Sequence, residues 1–288
     1  ALLSLDPSTG EIRWSKKLGP LETSPVLSND ASRLAIASGF RIDIHDLSQN
    51  GKTLFSELPG KPFQIKFSND AIFVSTWNGY FIKLLAPNYR IAWARKLFNL
   101  PFFFDISKTS IAVTSIEGSL GFVNDMTGQN VLPMIHAGAN VSAMEMSDSL
   151  LAVATDQGEI RIYNQKTNSL QFTYAASSNV LSLQWIHMGN SKYLLAGLSD
   201  QKICLYGFTS KDPLWTFAGE NSIYTTPIIK GNFLYIDQKS YIAKVSLSKG
   251  TLEKRYSTPG GSGTPFILDN TLFCTSPKRL LYAFPLSK

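Results

Sequence analysis

The sequence predicts an all-β protein built from one four-strand unit repeated about seven times. Three observations carry that. A hairpin signature returns at a near-constant spacing, apolar residues alternate with a period of two, and no stretch of ten or more residues has helical periodicity. The segments Arg33–Ser38 and Glu159–Tyr163 show the strand pattern, and Gly, Asn, Asp and Ser bound such runs throughout.

The first hairpin sets the pattern. Leu5-Asp6-Pro7-Ser8-Thr9-Gly10 ends one strand in a tight turn, and Glu11-Ile12-Arg13-Trp14 opens a second strand of alternating polarity. Glycine suits the turn because it accepts a positive φ without strain. Anchored on Trp14, the pattern returns at Phe55, Trp93, Leu132, Phe172 and Trp215, then at Lys254, where the large apolar residue is lost. The intervals are 41, 38, 39, 40, 43 and 39 residues, a mean of 40 between positions 14 and 254. Four short strands per 40 residues is the spacing of a β-propeller blade.

Taken in order, residues 1–18 supply two outer strands, Ala1–Asp6 and Glu11–Leu18. Six complete units follow at 23–58, 62–97, 101–135, 140–175, 179–218 and 222–257. Three more strands close the chain at Gly263–Leu268, Thr271–Thr275 and Arg279–Leu286. The expectation is a seven-bladed β-propeller of four-stranded antiparallel blades, one domain over residues 1–288. In it, Glu11–Leu18 joins the C-terminal blade and removes a free strand edge. That leaves Ala1–Asp6 as a surplus strand, and an eighth blade is the alternative.

The motif Leu5-Asp6-x-x-Thr9-Gly10-x-x-x-Trp14 resembles the repeat of pyrroloquinoline-quinone-type propellers. So do the strand starts Thr23-Ser24-Pro25, Thr225-Thr226-Pro227 and Gly263-Thr264-Pro265. The middle of the chain, at Leu151–Tyr163 and Leu195–Tyr206, is more similar to WD-type repeats. Both likenesses imply fold more than function, since both families consist largely of scaffolds. The quinone-dependent enzymes of the first family bring a calcium site, an adjacent cysteine pair and a tryptophan floor. Here Cys204 and Cys274 stand 70 residues apart, so no quinone cofactor is expected. Trp14, Trp93 and Trp215 are expected to seal outer strands against neighbouring sheets.

The net charge of +6 comes from 27 scattered Lys and Arg residues, which favours a solvated surface over a nucleic-acid stripe. No run approaches the roughly 18 apolar residues of a membrane span. Two cysteines in different blades favour free thiols and a reducing, cytoplasmic compartment, while the Ser, Thr and Asn content fits export. His45, His136 and His187 stand alone, and His45 is expected to be solvated or salt-linked. No catalytic residues, metal ligands or cofactor are expected; Asn140-Val141-Ser142 matches a glycosylation acceptor by a short motif only.

What remains is surface. Loops joining the second and third strands of each blade, and those joining consecutive blades, share one face. That face carries Phe40, Trp77, Tyr80, Ile116, Phe102, Phe103, Tyr224, Lys239 and Lys278. Trp77 occupies a turn where small polar residues are usual, and aromatics of this kind anchor interfaces. The function expected is a non-catalytic scaffold that binds a protein or peptide partner there, as a monomer or within a larger assembly. Two alternatives differ from it. One is an enzyme or small-ligand-binding protein with a site at the mouth of the central channel. The other is an exported assembly factor resembling the outer-membrane assembly lipoproteins.

Overall fold

A computed structural model describes residues 2–17, 19–47, 53–107, 110–222, 226–278 and 280–286. Its strands form eight antiparallel sheets. β1 (Leu2–Leu5) and β2 (Ile12–Lys16) pair alone. Six sheets of four strands follow. They are β3 (Val26–Leu27), β4 (Arg33–Ser38), β5 (Arg41–Asp46) and β6 (Thr53–Glu57), then β7 (Pro62–Ser68), β8 (Ala71–Thr76), β9 (Tyr80–Leu85) and β10 (Arg90–Lys96). The third is β11 (Phe102–Ile106), β12 (Ile111–Ser115), β13 (Ser119–Val123) and β14 (Ile135–His136). The fourth is β15 (Val141–Met146), β16 (Leu150–Thr155), β17 (Glu159–Asn164) and β18 (Leu170–Ala175). The fifth is β19 (Val180–Met188), β20 (Ser191–Leu198), β21 (Lys202–Tyr206) and β22 (Trp215–Ala218). The sixth is β23 (Ile228–Lys230), β24 (Phe233–Asp237), β25 (Tyr241–Ser246) and β26 (Leu252–Ser257). β27 (Pro265–Leu268), β28 (Thr271–Thr275) and β29 (Leu281–Pro285) make a last sheet of three.

Every sheet is a simple up-and-down meander, and the strands match the sequence count of 29. The expected seven-bladed plan agrees with this to within the two end sheets. There, β2 takes the surplus strand β1 as its partner, and no described ladder joins it to β27–β29.

The chain divides into two compact units, Ala1–Asn140 with Gln165–Asn168, and Val141–Asn164 with Ser169–Lys288. Within each, successive sheets bury their faces against one another. β8 is buried on both sides: Ile72 and Val74 pack with Ile42 and Ile44, while Ala71 and Phe73 pack with Phe104 and Val113. The second unit repeats this, with Ala152 and Ala154 against Leu194 and Ala196, and Leu195 and Leu205 against Leu234 and Val245. A strand buried on both faces reads as a continuous apolar run.

The repeated tryptophan has a definite partner. The Trp93 indole N–H donates to the Asp125 carbonyl at 2.9 Å, and that of Trp215 to the Leu247 carbonyl at 3.0 Å. Each ring lies on the turn glycine of the following sheet: a Cβ on Gly128 or Gly250 would come within 2.7 or 2.6 Å of it. Trp14 remains 42% exposed, and its matching turn at Gly51 lies outside the described residues.

Two expectations change. Leu132 is not on an outer strand, because Pro133 follows it, lacks an N–H and constrains its neighbour; that strand forms later, at Ile135–His136. His45 is buried rather than solvated, its Nδ1 lying 2.8 Å from the Thr53 hydroxyl. Cys204 and Cys274 are free, buried thiols, and burial pushes Cys274 up to about 11.

Candidate functional site

The site grows from the turn between β8 and β9. Thr76 ends β8, and its hydroxyl accepts the Tyr80 N–H at 2.9 Å while donating to Asn78 Oδ1 at 2.7 Å. The Gly79 N–H closes the turn on the Thr76 carbonyl at 3.0 Å. Gly79 has φ +83°, and a Cβ there would stand 2.0 Å from the Phe98 carbonyl oxygen, so glycine is required. The connections on either side are tied to this turn. The Trp77 N–H donates to the Lys61 carbonyl (2.9 Å), Asn78 Nδ2 to the Pro59 carbonyl (3.1 Å), and the Leu97 N–H to the Gly79 carbonyl (3.0 Å). The backbone of Trp77 is therefore fixed from both flanks.

Its side chain is not buried by this. Trp77 is 53% exposed, and its indole N–H meets no acceptor among the described residues, whereas those of Trp93, Trp185 and Trp215 each donate to a backbone carbonyl. One edge of the ring meets Phe63 at 5.0 Å between centroids and 81° between planes. Phe63 in turn meets Phe103 at 5.5 Å and 61°. Such T-shaped pairs add about 0.5–1.5 kcal/mol each beyond area burial.

Phe63 completes the cluster because of a β-bulge. Pro62 pairs with Thr76 and Gln64 with Ser75, so Phe63 is the extra residue of β7. A bulge re-aims one side chain without moving the rest of the ladder. Below it, β7 is stitched to β11. The Gln64 side chain donates to the Phe104 carbonyl (3.1 Å) and accepts the Phe104 N–H (2.9 Å), and Lys66 Nζ pairs with Asp105 at 2.5 Å. These contacts hold Phe63 and Phe103 in register.

Trp77 and Phe103, both singled out in sequence, are thus brought together through a residue that was not. Phe40 is 56% exposed on the turn after β4, with no ring contact to the cluster among the described residues. Tyr80 is partly buried and packs on the core of its sheet pair. Phe102 is a correction: it is fully buried, because β11 begins there and its alternation turns Phe102 and Phe104 inward against Phe81. Tyr224 lies outside the described residues. The signal for Phe63 was an aromatic directly after a strand-opening proline, in a slot where β15 and β19 carry the same bulge, at Ser142 and Leu181.

The sequence matches no protein-family model and no curated protein. Solved structures do resemble it. Sqt1 of Saccharomyces cerevisiae has a TM-score of 0.79 at 11% identity, over 92% of this chain and 83% of that one. BamB from Moraxella catarrhalis has a TM-score of 0.76 at 15% identity, over 96% and 89%. The computationally designed protein Ika8 gives 0.76 at 13%, over 88% and 81%. At these identities the likeness speaks for fold alone, and the fold is a β-propeller.

Proposed function

We propose that this chain is a non-catalytic β-propeller scaffold that binds a protein or peptide partner through the Trp77–Phe63–Phe103 cluster. The observation that carries the reading is Trp77 itself: a half-exposed indole with a free N–H, on a backbone hydrogen-bonded from both flanks. A large aromatic with one unsatisfied donor supplies both contact area and direction to an incoming chain. Because the turn is already fixed, little ordering entropy is lost on binding. The lysines that flank Phe63 in sequence, Lys61 and Lys66, are paired with Glu22 and Asp105, which favours recognition over proton chemistry.

The test compares wild type with a Trp77→Ala, Phe103→Ala double variant in partner pull-downs from the native source. Loss of the same partner in the variant is expected, and equal recovery of every partner would overturn the choice of surface. Trp77→Ala alone should lower stability by less than about 1 kcal/mol in urea unfolding, as for a surface side chain. The non-catalytic part is tested by titrating calcium or a quinone and watching tryptophan fluorescence. Saturable quenching would overturn it.

A further inference from the structure

A second surface, wholly within the C-terminal unit, has different chemistry. β18 is the outer strand of its sheet and is paired on one edge, to β17. The Ala176 N–H donates to the Gly158 carbonyl, so residue 176 faces β17. Bonding direction alternates along an antiparallel ladder. The N–H and C=O groups of Thr173 and Ala175 consequently face outward.

Two cavities lie between β18, with the residues just after it, and the next sheet. The first, about 450 Å³, is lined by Leu170, Phe172, Thr173, Phe208 and Lys211 among others. The second, about 350 Å³, is lined by Ala175, Ser177, Lys202, Tyr206 and Thr216 among others. Between them the floor is rigid, since Tyr174 packs on Tyr206 and its hydroxyl donates to the Gly207 carbonyl at 2.8 Å.

The first cavity has an apolar part, Leu170, Phe172 and Phe208, and one charged residue, Lys211. Leu170 is 50% and Phe172 40% exposed. The Phe172 ring meets Phe208 at 5.1 Å, Phe208 stacks on Trp185 at 5.9 Å, and the Lys192 ammonium lies 5.7 Å over Trp185. Neither Lys192 nor Lys211 has an ion-pair partner among the described residues, and no lining residue is acidic. In the second cavity Lys202 is already paired with Asp200 at 2.5 Å. Of the residues that line the first cavity, Lys211 alone is charged, with Asp212 next to it in the chain.

We propose that the groove along β18 receives an extended, acidic segment of a partner protein. The segment adds to the outward groups of Thr173 and Ala175 as a fifth strand. It seats an apolar side chain against Phe172 and Phe208, and brings a carboxylate to Lys211. Strand addition draws affinity from the main chain and specificity from alternate side-chain pockets. Complementary charge then sets orientation.

A library of random heptapeptides displayed on phage, panned against the whole chain, tests this. Enriched sequences should alternate apolar residues with Asp or Glu. Made as fluorescent peptides, they should bind Thr173→Pro and Lys211→Glu about tenfold more weakly or worse, and Trp77→Ala unchanged. Proline is tolerated on a strand edge whose N–H faces solvent, so Thr173→Pro removes the donor without breaking the ladder. N-methylation of alternate peptide amides removes the same bonds with the protein unaltered. Failure to enrich any sequence, enrichment of neutral or basic ones, or undiminished binding to Thr173→Pro overturns the proposal. Peptides whose binding needs Trp77 overturn it too, while leaving the first surface standing.

Discussion

The turn Trp77–Gly79 and the turn Asp156–Gly158 share one backbone and hold different side chains. In both, a threonine ends the preceding strand and its hydroxyl accepts an N–H four residues on, at 2.9 Å for Tyr80 and 3.2 Å for Glu159. In both, a glycine with φ near +80° closes the turn and its carbonyl accepts an N–H beyond the outer strand, from Leu97 and from Ala176. Both sheets carry the same bulge in their first strand. Yet one sheet fills the turn and the bulge with Trp77 and Phe63, and the other with Asp156 and Ser142. The folding requirements are met by threonine and glycine in each case. The aromatic pair is therefore not demanded by the turn, and leaving a tryptophan half exposed forgoes burial worth about 25 cal/mol per Å².

The comparison breaks most visibly at the glycines. At Gly79 a methyl group meets a backbone oxygen at 2.0 Å, while at Gly158 the nearest oxygen, of Ser178, is 3.0 Å away. Gly79→Ala should cost about 3 kcal/mol or more and Gly158→Ala about 1–2 kcal/mol, from urea unfolding midpoints. Equal costs would mean that the connection after β10 is no more tightly tied than the one after β18.

The next pair tests sameness instead. Thr76→Val and Thr155→Val each delete one hydroxyl that accepts a buried-edge N–H. Thr155→Val should lose about 1 kcal/mol by the same measurement, and Thr76→Val somewhat more, because its hydroxyl also donates to Asn78. A difference above roughly 1 kcal/mol between them would show that the two turns are not one device.

How far the sequence reveals all this depends on scale. The 40-residue period places the sheets within a few residues, since each hairpin repeats its own turn chemistry. Trp93 and Trp215 are legible because a bulky ring on an outer strand needs a glycine to lie on. Strand ends are not legible in the same way. Phe102 reads as part of the loop-bearing face, but β11 starts there and alternation buries it. A bulge is worse: one extra residue shifts the phase by one, so Phe63 reads as an ordinary strand position. The cluster at Trp77 was therefore half visible, with its central ring hidden by a register slip.

The smallest expected effect is also the most direct probe of the opening contrast. If threonine and glycine alone specify these turns, Asp156→Trp should still fold, with a loss of less than about 1 kcal/mol in urea. The Asp156 position is exposed and has the same closure, Gly158 N–H to Thr155 carbonyl at 3.1 Å. The new indole would lack an edge-to-face partner, because Ser142 stands where Phe63 does. Adding Ser142→Phe to the Asp156→Trp variant should restore that pairing and recover about 0.5–1.5 kcal/mol of coupling in a double-mutant cycle. Zero coupling would mean that the bulge in β15 aims its side chain differently from the bulge in β7, and the equivalence of the two sheets would fail at that residue.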